Sequence, residues 1–521
     1  MMERKFNVKG VCVPAKHYMV DIMDRLEKMK VLVAAGEYFV INRGRQYGKT
    51  TTLAALEDYL ANEYTVISLS FQGLGDTIFE SEESFCLEFL TLVADYLELS
   101  NLAAGWFDEK IQKFSDLSRH ITKMCKEQKI VLMIDEVDKA SNHRVFLNFL
   151  GMLRNKYQVR NRGKDFTFQS VVLAGVYDIK NIKLKMVQDG KLPLADGEKT
   201  VDSPWNIAEN FAEDMSFTAH GLAGMLTEYE ADYQTGMNIP QIAEEIYAYT
   251  SGYPFLALRI CQYIHEKLEK NWTKATVKEA VRLIIEEPQP NTLFDDLFKN
   301  IRNHPELSDF LYELLMTGKN YKFAQGDEII EQGLRYAFVR NEERNIVIHN
   351  KIFEIIITDY FISKERMETS KVVDNRLEIE VVNGEKFNIE LFFEKFNSHY
   401  QKHYSQRDVD FIEREAAFLF LCFLQPYLNG KGTYYLESKP NFATGKRMDV
   451  VISYGGQEFI IELKIWRGES HQQDAYKQLT DYVTKRGAIN GYLLTFDFRD
   501  KKQIKQEWIK AHGIPLLEVQ V

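Results

Sequence analysis

The chain has 521 residues, of which 45% are hydrophobic and 13% aromatic, so it is long enough to form several domains with packed cores. Its formal net charge of −11 excludes a protein that coats nucleic acid along its whole length, because such binding needs lysine and arginine to neutralise phosphates. The charge is uneven, however: residues 401–521 carry 17 Lys and Arg against 15 Asp and Glu, and the first 400 residues carry 48 against 61. The C-terminal part can therefore accept a nucleic-acid partner.

Five cysteines are scattered without a Cys-x-x-Cys pair, which favours neither a disulfide framework nor a zinc site and is typical of a reducing, cytoplasmic setting. The sequence has no run of about 18 apolar residues, and its first residues are not followed by a long apolar core. We therefore expect neither secretion nor a membrane partner.

The first half of the chain alternates apolar runs of strand length with segments of helical periodicity. The apolar runs are residues 38–42, 65–71, 130–134 and 170–175. The third run lacks alternation, which is typical of a strand buried on both faces. Strands separated by helices predict an α/β fold with a parallel sheet that is covered on both sides.

The turn after the first run has the residues of a phosphate-binding loop. It ends in Gly48, Lys49 and Thr50, and helical periodicity follows. In such a loop, backbone N–H groups and the helix N-terminus face the anion, Lys49 reaches the terminal phosphates and the Thr50 hydroxyl can bind Mg²⁺. The first glycine of the usual Walker A pattern would fall at Arg43, with Gly44 one place late.

The third run ends in Asp135 and Glu136. One carboxylate can hold Mg²⁺ through water and the next can polarise the attacking water, although acidic residues after a strand are otherwise common as helix N-caps. The combination with Lys49 favours a nucleotide site. The predicted cofactors are ATP and Mg²⁺, with Glu136 catalytic, Thr50 and Asp135 at the metal, and Gly48, Lys49, Thr50, Thr51 and Asp135 at the nucleotide.

This part of the chain resembles bacterial AAA-like ATPases over about the first 290 residues. The resemblance lies in residues 17–21, in residues 36–43 and in Arg45-Gln46-Tyr47-Gly48-Lys49-Thr50-Thr51, because an Arg-Gln-x-Gly-Lys-Thr/Ser loop stands for the Walker A motif in that family. Thr250-Ser251-Gly252-Tyr253-Pro254 matches the Gly-x-Pro turn that opens a lid helix in related signal-transducing ATPases. The resemblance implies a P-loop ATPase core over residues 1–215 and a helical lid over residues 216–290.

The pattern changes in residues 291–370. Amphipathic residues 307–316, a second short segment at 323–331 and two apolar runs joined by a polar turn predict a winged-helix-like domain. The acidic character of residues 327–343 favours a packing or relay role over DNA reading. A charged linker is expected at residues 371–399.

The last domain, residues 400–521, contains an apolar hairpin that carries acidic residues. Asp449 begins one strand, and Glu462 and Lys464 lie on the returning strand, where alternation puts them on one face. Carboxylates suit a hard divalent ion, and Mg²⁺ or Mn²⁺ can activate water and stabilise the charge that develops on a phosphodiester. Glu-x-Lys is common on exposed strands, but an apolar strand opposite Asp449 favours a catalytic site.

Gln478 and Tyr482 are four residues apart on the next helix and so share a face. The arrangement resembles the PD-(D/E)xK nuclease superfamily, and the Gln-x-x-x-Tyr helix is similar to its RecB-type branch. The resemblance implies a restriction-endonuclease-like α/β domain with Asp449 and Glu462 as metal ligands and Lys464 as the catalytic lysine. Gln478 and Tyr482 complete the expected catalytic set.

The resemblance also implies that Glu413 or Glu415 supplies the acid of the first core helix. It departs from the family at Met448, where a proline often precedes the aspartate. Downstream, a basic run either tracks a phosphate backbone or forms a solvated helix face. Its members are Arg499, Lys501, Lys502, Lys505 and Lys510.

The sequence therefore predicts an ATP-binding and ATP-hydrolysing protein that regulates a metal-dependent nuclease. Nucleic acid, DNA in particular, is the expected partner, and analogy suggests a role in defence or mobile-element biology. The alternative is a nucleotide-dependent switch whose C-terminal domain binds nucleic acid or protein without cleaving it. The intact set of Asp449, Glu462 and Lys464 favours the enzyme. DNA or RNA preference and assembly into a homo-oligomer stay open.

Overall fold

A computed structural model describes residues 3–521 with several gaps. The gaps are residues 101–106, 109, 142, 177–204, 212, 287–291, 317–320, 370–380, 384–385, 404–418, 422, 426, 429–431, 438–447, 467, 498 and 500–503. The chain divides into two compact units. Unit 1 consists of Met1–Tyr247, Ser251–Val277 and Arg335–Ala337, and unit 2 consists of Ala248–Thr250, Lys278–Leu334 and Phe338–Val521.

Unit 1 is built on a five-stranded sheet with the order β2-β3-β4-β1-β5, in which each neighbouring pair is parallel. Its strands are β1 (Phe39–Asn42), β2 (Thr65–Ser70), β3 (Ile130–Asp135), β4 (Ser170–Gly175) and β5 (Glu209–Asn210). The four strands expected from the sequence are confirmed, as is their parallel arrangement. Every residue of β3 is buried, in agreement with its unbroken apolar run.

Helices connect these strands and continue beyond the sheet. They are α1 (Met23–Ala35), α2 (Lys49–Leu60), α3 (Glu82–Leu99), α4 (Phe114–Glu127), α5 (Arg144–Arg160), α6 (Ala219–Tyr233), α7 (Ile239–Thr250), α8 (Pro254–Glu266) and α9 (Lys274–Glu286). Apolar side chains of β2, β3, α3 and α5 form one core cluster, in which Phe85 packs against Phe89 and Phe149. Helix α8 begins at Pro254, so the sequence placed the start of this helix correctly.

The first part of unit 2 is helical with a small antiparallel sheet of order β6-β8-β7. Its elements are α10 (Thr292–Asn303), α11 (Pro305–Met316), β6 (Tyr321–Lys322), α12 (Glu328–Arg335), β7 (Val339–Glu342), β8 (Asn345–Ile348) and α13 (Lys351–Thr369). The first expected helix is present as α11 and the antiparallel strand pair as β7 and β8, whereas the second helix, α12, begins at Glu328 and not at residue 323. Assignment of this region to the winged-helix class stays a prediction.

The C-terminal part has a six-stranded mixed sheet of order β11-β12-β13-β14-β16-β15. Its elements are β9 (Val382–Asn383), β10 (Lys386–Phe387), α14 (Ile389–His403), β11 (Gly432–Glu437), β12 (Met448–Tyr454), β13 (Gln457–Ile465), α15 (Glu469–Arg486), β14 (Gly491–Phe496), β15 (Lys505–Ala511) and β16 (Ile514–Gln520). The expected hairpin is present as β12 and β13. Gly455 and Gly456 have φ of 55° and 77°, the left-handed values that a tight reversal between strands requires.

Two regions differ from the sequence expectations. Helix α14 crosses the end of the segment expected to be a linker, because Phe392, Phe393, Phe396 and Tyr400 recur at helical spacing and are all buried. The basic run was expected either to contact a phosphate backbone or to form a solvated helix face. Lys505 and Lys510 lie on strand β15 and therefore do not belong to a helix face.

Helix α13 shares a core with the C-terminal sheet. Ile355 of this helix belongs to the same apolar cluster as Val451, Ile460 and Leu493, and α15 covers the cluster with Leu479. Residues on both sides of the expected boundaries at 370 and 400 therefore contribute to one apolar cluster, and the domain bounds stay a prediction. Among the described residues, no helix is both long and apolar enough to cross a bilayer.

Candidate functional site

The phosphate-binding loop joins the end of β1 to the start of α2. Gly48 is the residue before the helix and has φ of 82°, a left-handed value that glycine adopts without a Cβ penalty. Gln46 also has a positive φ, 56°. The first N–H groups of a helix have no partner within it, so the start of α2 offers hydrogen-bond donors to an anion.

Lys49 is held inside this loop and is only 7% exposed. Its Nζ donates to the carbonyl oxygens of Arg43 at 3.0 Å and Gly44 at 2.9 Å. Burial lowers the pKa of the Lys49 ammonium, and the carboxylates of Asp138 and Glu136 partly offset that effect. A cation held at this place can meet the terminal phosphates of a nucleotide.

Thr50 and Asp135 are brought into direct contact, as expected for two residues at one metal. Thr50 Oγ1 donates to Asp135 Oδ2 at 2.5 Å, and Asp135 is 6% exposed. A hydroxyl and a carboxylate oxygen are ligands that Mg²⁺ accepts together with water and phosphate oxygens. The donor set therefore fits Mg²⁺ bound with a nucleotide.

Glu136 follows Asp135 in an unusual backbone conformation, with φ of 54°. Left-handed backbone at a residue other than glycine costs about 1–2 kcal/mol and occurs often at functional sites. Burial raises the pKa of Glu136, the Lys49 charge lowers it, and the neighbouring Asp135 raises it again. The sequence predicts this carboxylate at the site, and in the structure the Lys49 charge acts on it.

Asp138 was missed by the sequence reasoning. Its Oδ2 accepts from the backbone N–H of Val176 at 2.7 Å, directly after β4. A Cβ on Gly175, the last residue of β4, would lie 2.8 Å from Asp138 Oδ1, so glycine allows this close approach. Asp138 also leads the charged groups that raise the pKa of Lys49. The sequence feature that could have indicated Asp138 is that it is a third acidic residue, shortly after Asp135 and Glu136 at the end of β3.

The two residues that disturb the Walker A pattern have structural roles. Arg43 donates from Nη1 to the carbonyl of Asn42 at 2.7 Å and from Nη2 to the carbonyl of Glu213 at 2.7 Å, which ties the loop to the segment after β5. A Cβ on Gly44 would lie 2.8 Å from the backbone oxygen of Tyr336, which belongs to the same compact unit. Residue 44 therefore needs to be glycine.

Thr51 lies next to the nucleotide loop but makes a different contact. Its hydroxyl oxygen accepts from the backbone N–H of Cys12 at 3.2 Å. The structure thus joins α2 to the N-terminal segment through Thr51. Its expected role at the nucleotide stays a prediction.

The second candidate site lies on β12 and β13. The register places Asp449 directly opposite Glu462 in the antiparallel pair, as the hairpin predicted. Glu462 is 2% exposed, and Lys464 Nζ lies 3.2 Å from its Oε1. The side chain of Asp449, and the whole of Glu413 and Glu415, lie outside the described residues. Among the side chains that are described, no group of three acids, histidines or cysteines is arranged to hold a metal.

Gln478 and Tyr482 are both on α15, as predicted. Gln478 Oε1 is buried and has no hydrogen-bond partner among the described residues. The Tyr482 hydroxyl accepts from Arg486 Nε at 3.0 Å, and Arg486 Nη1 lies 3.5 Å from Glu458 Oε2. Glu458 lies four strand residues before Glu462, which is about 13 Å along β13. Arg486 therefore links Tyr482 to a part of β13 that lies away from Glu462.

Gln472 is the α15 residue that reaches the neighbourhood of Lys464. Its Nε2 donates to Glu518 Oε1 at 2.7 Å and to Thr495 Oγ1 at 3.3 Å, and Thr495 is the register partner of Lys464. Lys505 Nζ donates to the other oxygen of Glu518 at 2.8 Å. The sequence reasoning missed Gln472, although Gln472 and Tyr476 repeat the spacing of Gln478 and Tyr482.

This geometry revises the interpretation of the basic run. Lys505 is bound to the buried carboxylate of Glu518, and Arg499 Nη2 donates to Asp497 Oδ2 at 2.7 Å. These two cations thus neutralise acids of the same domain. Lys501 and Lys502 lie outside the described residues.

Three comparisons place the chain among known proteins. A family model described as an AAA-like domain matches residues 15–353, more than half of the chain. A protein of Synechocystis sp. named as an uncharacterized WD repeat-containing protein is 21% identical over 388 residues, which cover 68% of this chain and 30% of that protein. The chain thus spans about 30% of the length of this curated relative.

Three similar solved structures share little sequence identity with this chain. A Walker-type ATPase of Pyrococcus abyssi is 12% identical with a TM-score of 0.46, over 68% of this chain and 99% of that one. The RuvB Holliday junction branch migration motor of Thermotoga maritima is 13% identical with a TM-score of 0.32, over 68% and 96%. The ORC2 protein of Aeropyrum pernix in its ADP form is 12% identical with a TM-score of 0.34, over 69% and 97%.

Proposed function

The chain belongs to the AAA-like domain family, and from this premise we propose that it binds and hydrolyses Mg-ATP and thereby regulates its C-terminal domain. The observation that supports the ATP site is the 2.5 Å contact between Thr50 and Asp135 beside the buried ammonium of Lys49. A cation and a hydroxyl at the start of a helix, together with a carboxylate at the end of strand β3, are the groups that Mg-ATP requires.

Each residue of this site has its own part in the proposed reaction. Lys49 would bind the terminal phosphates, and Thr50 with Asp135 would hold Mg²⁺, which neutralises the charge that develops on the phosphates. Glu136 would orient the attacking water and accept its proton. The raised pKa of Glu136 suits that task, because a base is most effective when its pKa approaches the working pH.

For the C-terminal domain we propose metal-dependent hydrolysis of nucleic-acid phosphodiesters, with DNA as the substrate and Mg²⁺ or Mn²⁺ as the metal. The register that sets Asp449 opposite Glu462, with Lys464 Nζ 3.2 Å from Glu462, supports this proposal. The two acids would hold the metal, and Lys464 would position the water and stabilise the transition state. The buried Gln478 oxygen, which has no hydrogen-bond partner among the described residues, is a polar atom available to such a site.

The near-complete burial of Glu462 favours a second candidate, in which this domain binds nucleic acid or protein without cleaving it. The Glu462 carboxylate is 2% exposed and already paired with Lys464. This ion pair must break and the side chain must become accessible before Glu462 can bind a metal ion. In this alternative the chain is a nucleotide-dependent switch.

Cleavage assays on plasmid and linear DNA with Mg²⁺ or Mn²⁺, with and without ATP, separate the two candidates. Asp449→Ala and Lys464→Ala should each lower cleavage by roughly 100-fold or more, and Gln478→Ala should lower it less. Lys485→Ala, which changes an exposed lysine in the last turn of α15, is the control. Failure of the wild type to cut under every condition, or wild-type cleavage by Asp449→Ala, would favour the binding module.

A further inference from the structure

The turn before helix α8 touches the phosphate-binding loop directly. The Tyr253 hydroxyl donates to the backbone carbonyl of Arg45 at 2.7 Å. The ring of Tyr253 also packs edge-on against Tyr47, with centroids 4.8 Å apart and an interplanar angle of 79°. Tyr253 is 1% exposed and Tyr47 is 3% exposed, so water does not compete with these contacts.

Tyr253 is itself held at a fixed place. Gly252 accepts at its carbonyl from the N–H of Phe217 at 2.8 Å, and a Cβ on Gly252 would lie 1.9 Å from the Phe217 oxygen. Pro254 then begins α8, and its ring fixes the backbone of the first helical residue. Movement of α8 therefore carries the Tyr253 hydroxyl with it.

The contact falls at a sensitive point of the loop. Arg45 lies between Gly44, whose carbonyl accepts from Lys49 Nζ at 2.9 Å, and Gln46, whose φ is 56°. In a planar trans peptide the C=O and the following N–H point in opposite directions. A hydroxyl that holds the Arg45 carbonyl therefore also sets the direction of the Gln46 N–H, which belongs to the loop that would face the anion.

We infer that Tyr253 is a positioning residue that couples the lid to phosphate binding through the Arg45–Gln46 peptide. The inference rests on the proposed ATP site. It adds that Tyr253 is the residue through which nucleotide binding at that site affects helix α8. A bound phosphate that fixes the conformation of the loop also fixes the Arg45 carbonyl. Through its hydrogen bond to this carbonyl, the Tyr253 hydroxyl then restricts the motion of the first turn of α8. Because coupling of two sites is reciprocal, a lid fixed through Tyr253 also strengthens nucleotide binding.

Hydrogen–deuterium exchange of the full-length protein tests this inference, with Mg-ADP and the slowly hydrolysed analogue AMP-PNP as probes. Tyr253→Phe keeps the ring and removes only the hydroxyl. Tyr263→Phe is the matched control, because it changes a tyrosine within α8 that is 2% exposed and packs against Lys267 and Arg259. Calorimetry on each protein gives the nucleotide Kd, and thermal unfolding shows that each variant is folded.

We expect nucleotide to slow exchange in the first turn of α8 in the wild type and in Tyr263→Phe. Tyr253→Phe should bind nucleotide with a Kd raised roughly 3- to 10-fold, the effect of one lost hydrogen bond, and should lose this protection even at saturation. A role confined to stability would leave protection at saturation unchanged.

Wild-type protection of α8 in saturated Tyr253→Phe would overturn the inference while leaving the ATP site intact. If Tyr253→Phe does not fold, the wild type still decides, since nucleotide that binds without protecting α8 also overturns it. Absence of nucleotide binding to the wild type in calorimetry would instead reject the proposed function on which the inference rests.

Discussion

Thr50 and Asp135 are 85 residues apart in the chain, and the Thr50 hydroxyl donates to Asp135 Oδ2 at 2.5 Å. Thr50 lies in the first turn of α2 after β1, and Asp135 ends β3. In a parallel sheet the carboxyl ends of the strands meet at one edge, which is where α/β proteins bind their ligands. The contact joins the two halves of the proposed nucleotide site.

Lys49→Ala should weaken Mg-ATP binding by about 10- to 150-fold or more, because charged hydrogen bonds contribute about 1.5–3 kcal/mol each. Titration calorimetry measures the effect. Lys139→Ala is the control, since it removes an exposed lysine that pairs with Asp76 at 3.4 Å. Equal affinity of the wild type and Lys49→Ala for ATP would show that this loop does not bind the nucleotide.

Glu136→Gln should keep ATP affinity and slow hydrolysis by roughly 100- to 10,000-fold, the usual contribution of a general base. Steady-state phosphate release measures this change. Because burial raises the pKa of Glu136, the wild-type rate should decline on acidification at a higher pH than an unperturbed glutamate would give. An unchanged rate in Glu136→Gln would assign the base to another residue.

Gly252→Ala should destabilise unit 1 by more than Gly236→Ala. Both glycines have left-handed φ, 74° and 75°, so alanine carries a backbone cost of about 1–2 kcal/mol at either position. Only at Gly252 would the new Cβ meet Phe217, at 1.9 Å, whereas no atom lies within 4 Å at Gly236. Urea unfolding of both variants isolates the steric part, and equal losses would show that the turn can relax.

Asp359 should make unit 2 sensitive to pH. Burial raises its pKa to about 6, and Tyr434, which donates to Oδ1 at 2.9 Å, lowers it in part. The folded chain then binds this proton more tightly than the unfolded chain, so stability falls as pH rises from about 4 to about 6 and then levels off.

A pKa raised by about 2 corresponds to roughly 3 kcal/mol. Asp359→Asn, which keeps an acceptor oxygen for Tyr434, should flatten this slope and stabilise the protein at neutral pH. Denaturant unfolding between pH 4 and 8 checks it. An identical pH profile for both proteins would mean that the ionised Asp359 is well solvated.

Much of this architecture follows from local sequence patterns. The apolar run of β3 and the Gly455-Gly456 reversal each depend on residues that are adjacent in the chain. Periodicity and turn chemistry therefore predict them from the sequence. Lys49, Thr50 and Asp135 could be predicted as site residues because a phosphate cradle needs fixed residue types next to a strand and a helix, and the structure brings Thr50 and Asp135 into contact.

The remaining features depend on contacts between distant parts of the chain. The need for glycine at residue 44 comes from the Tyr336 backbone, and the role of Arg43 comes from carbonyls near residue 213. Gln472 reaches Glu518 across 46 residues, which no local spacing indicates. Helix α14 was obscured because its charged outer face resembles a linker while its aromatic face is buried.

Cleavage of DNA by the full-length protein as a function of bound nucleotide tests the central claim most directly. The rate is measured with Mg²⁺ or Mn²⁺ under three conditions, without nucleotide, with ADP and with AMP-PNP, in the wild type and in Lys49→Ala. A typical coupling of about 1–3 kcal/mol predicts rates that differ by about 5- to 150-fold between nucleotide states of the wild type, with that difference lost in Lys49→Ala. One rate under all three conditions would contradict the account and show that the two sites work independently.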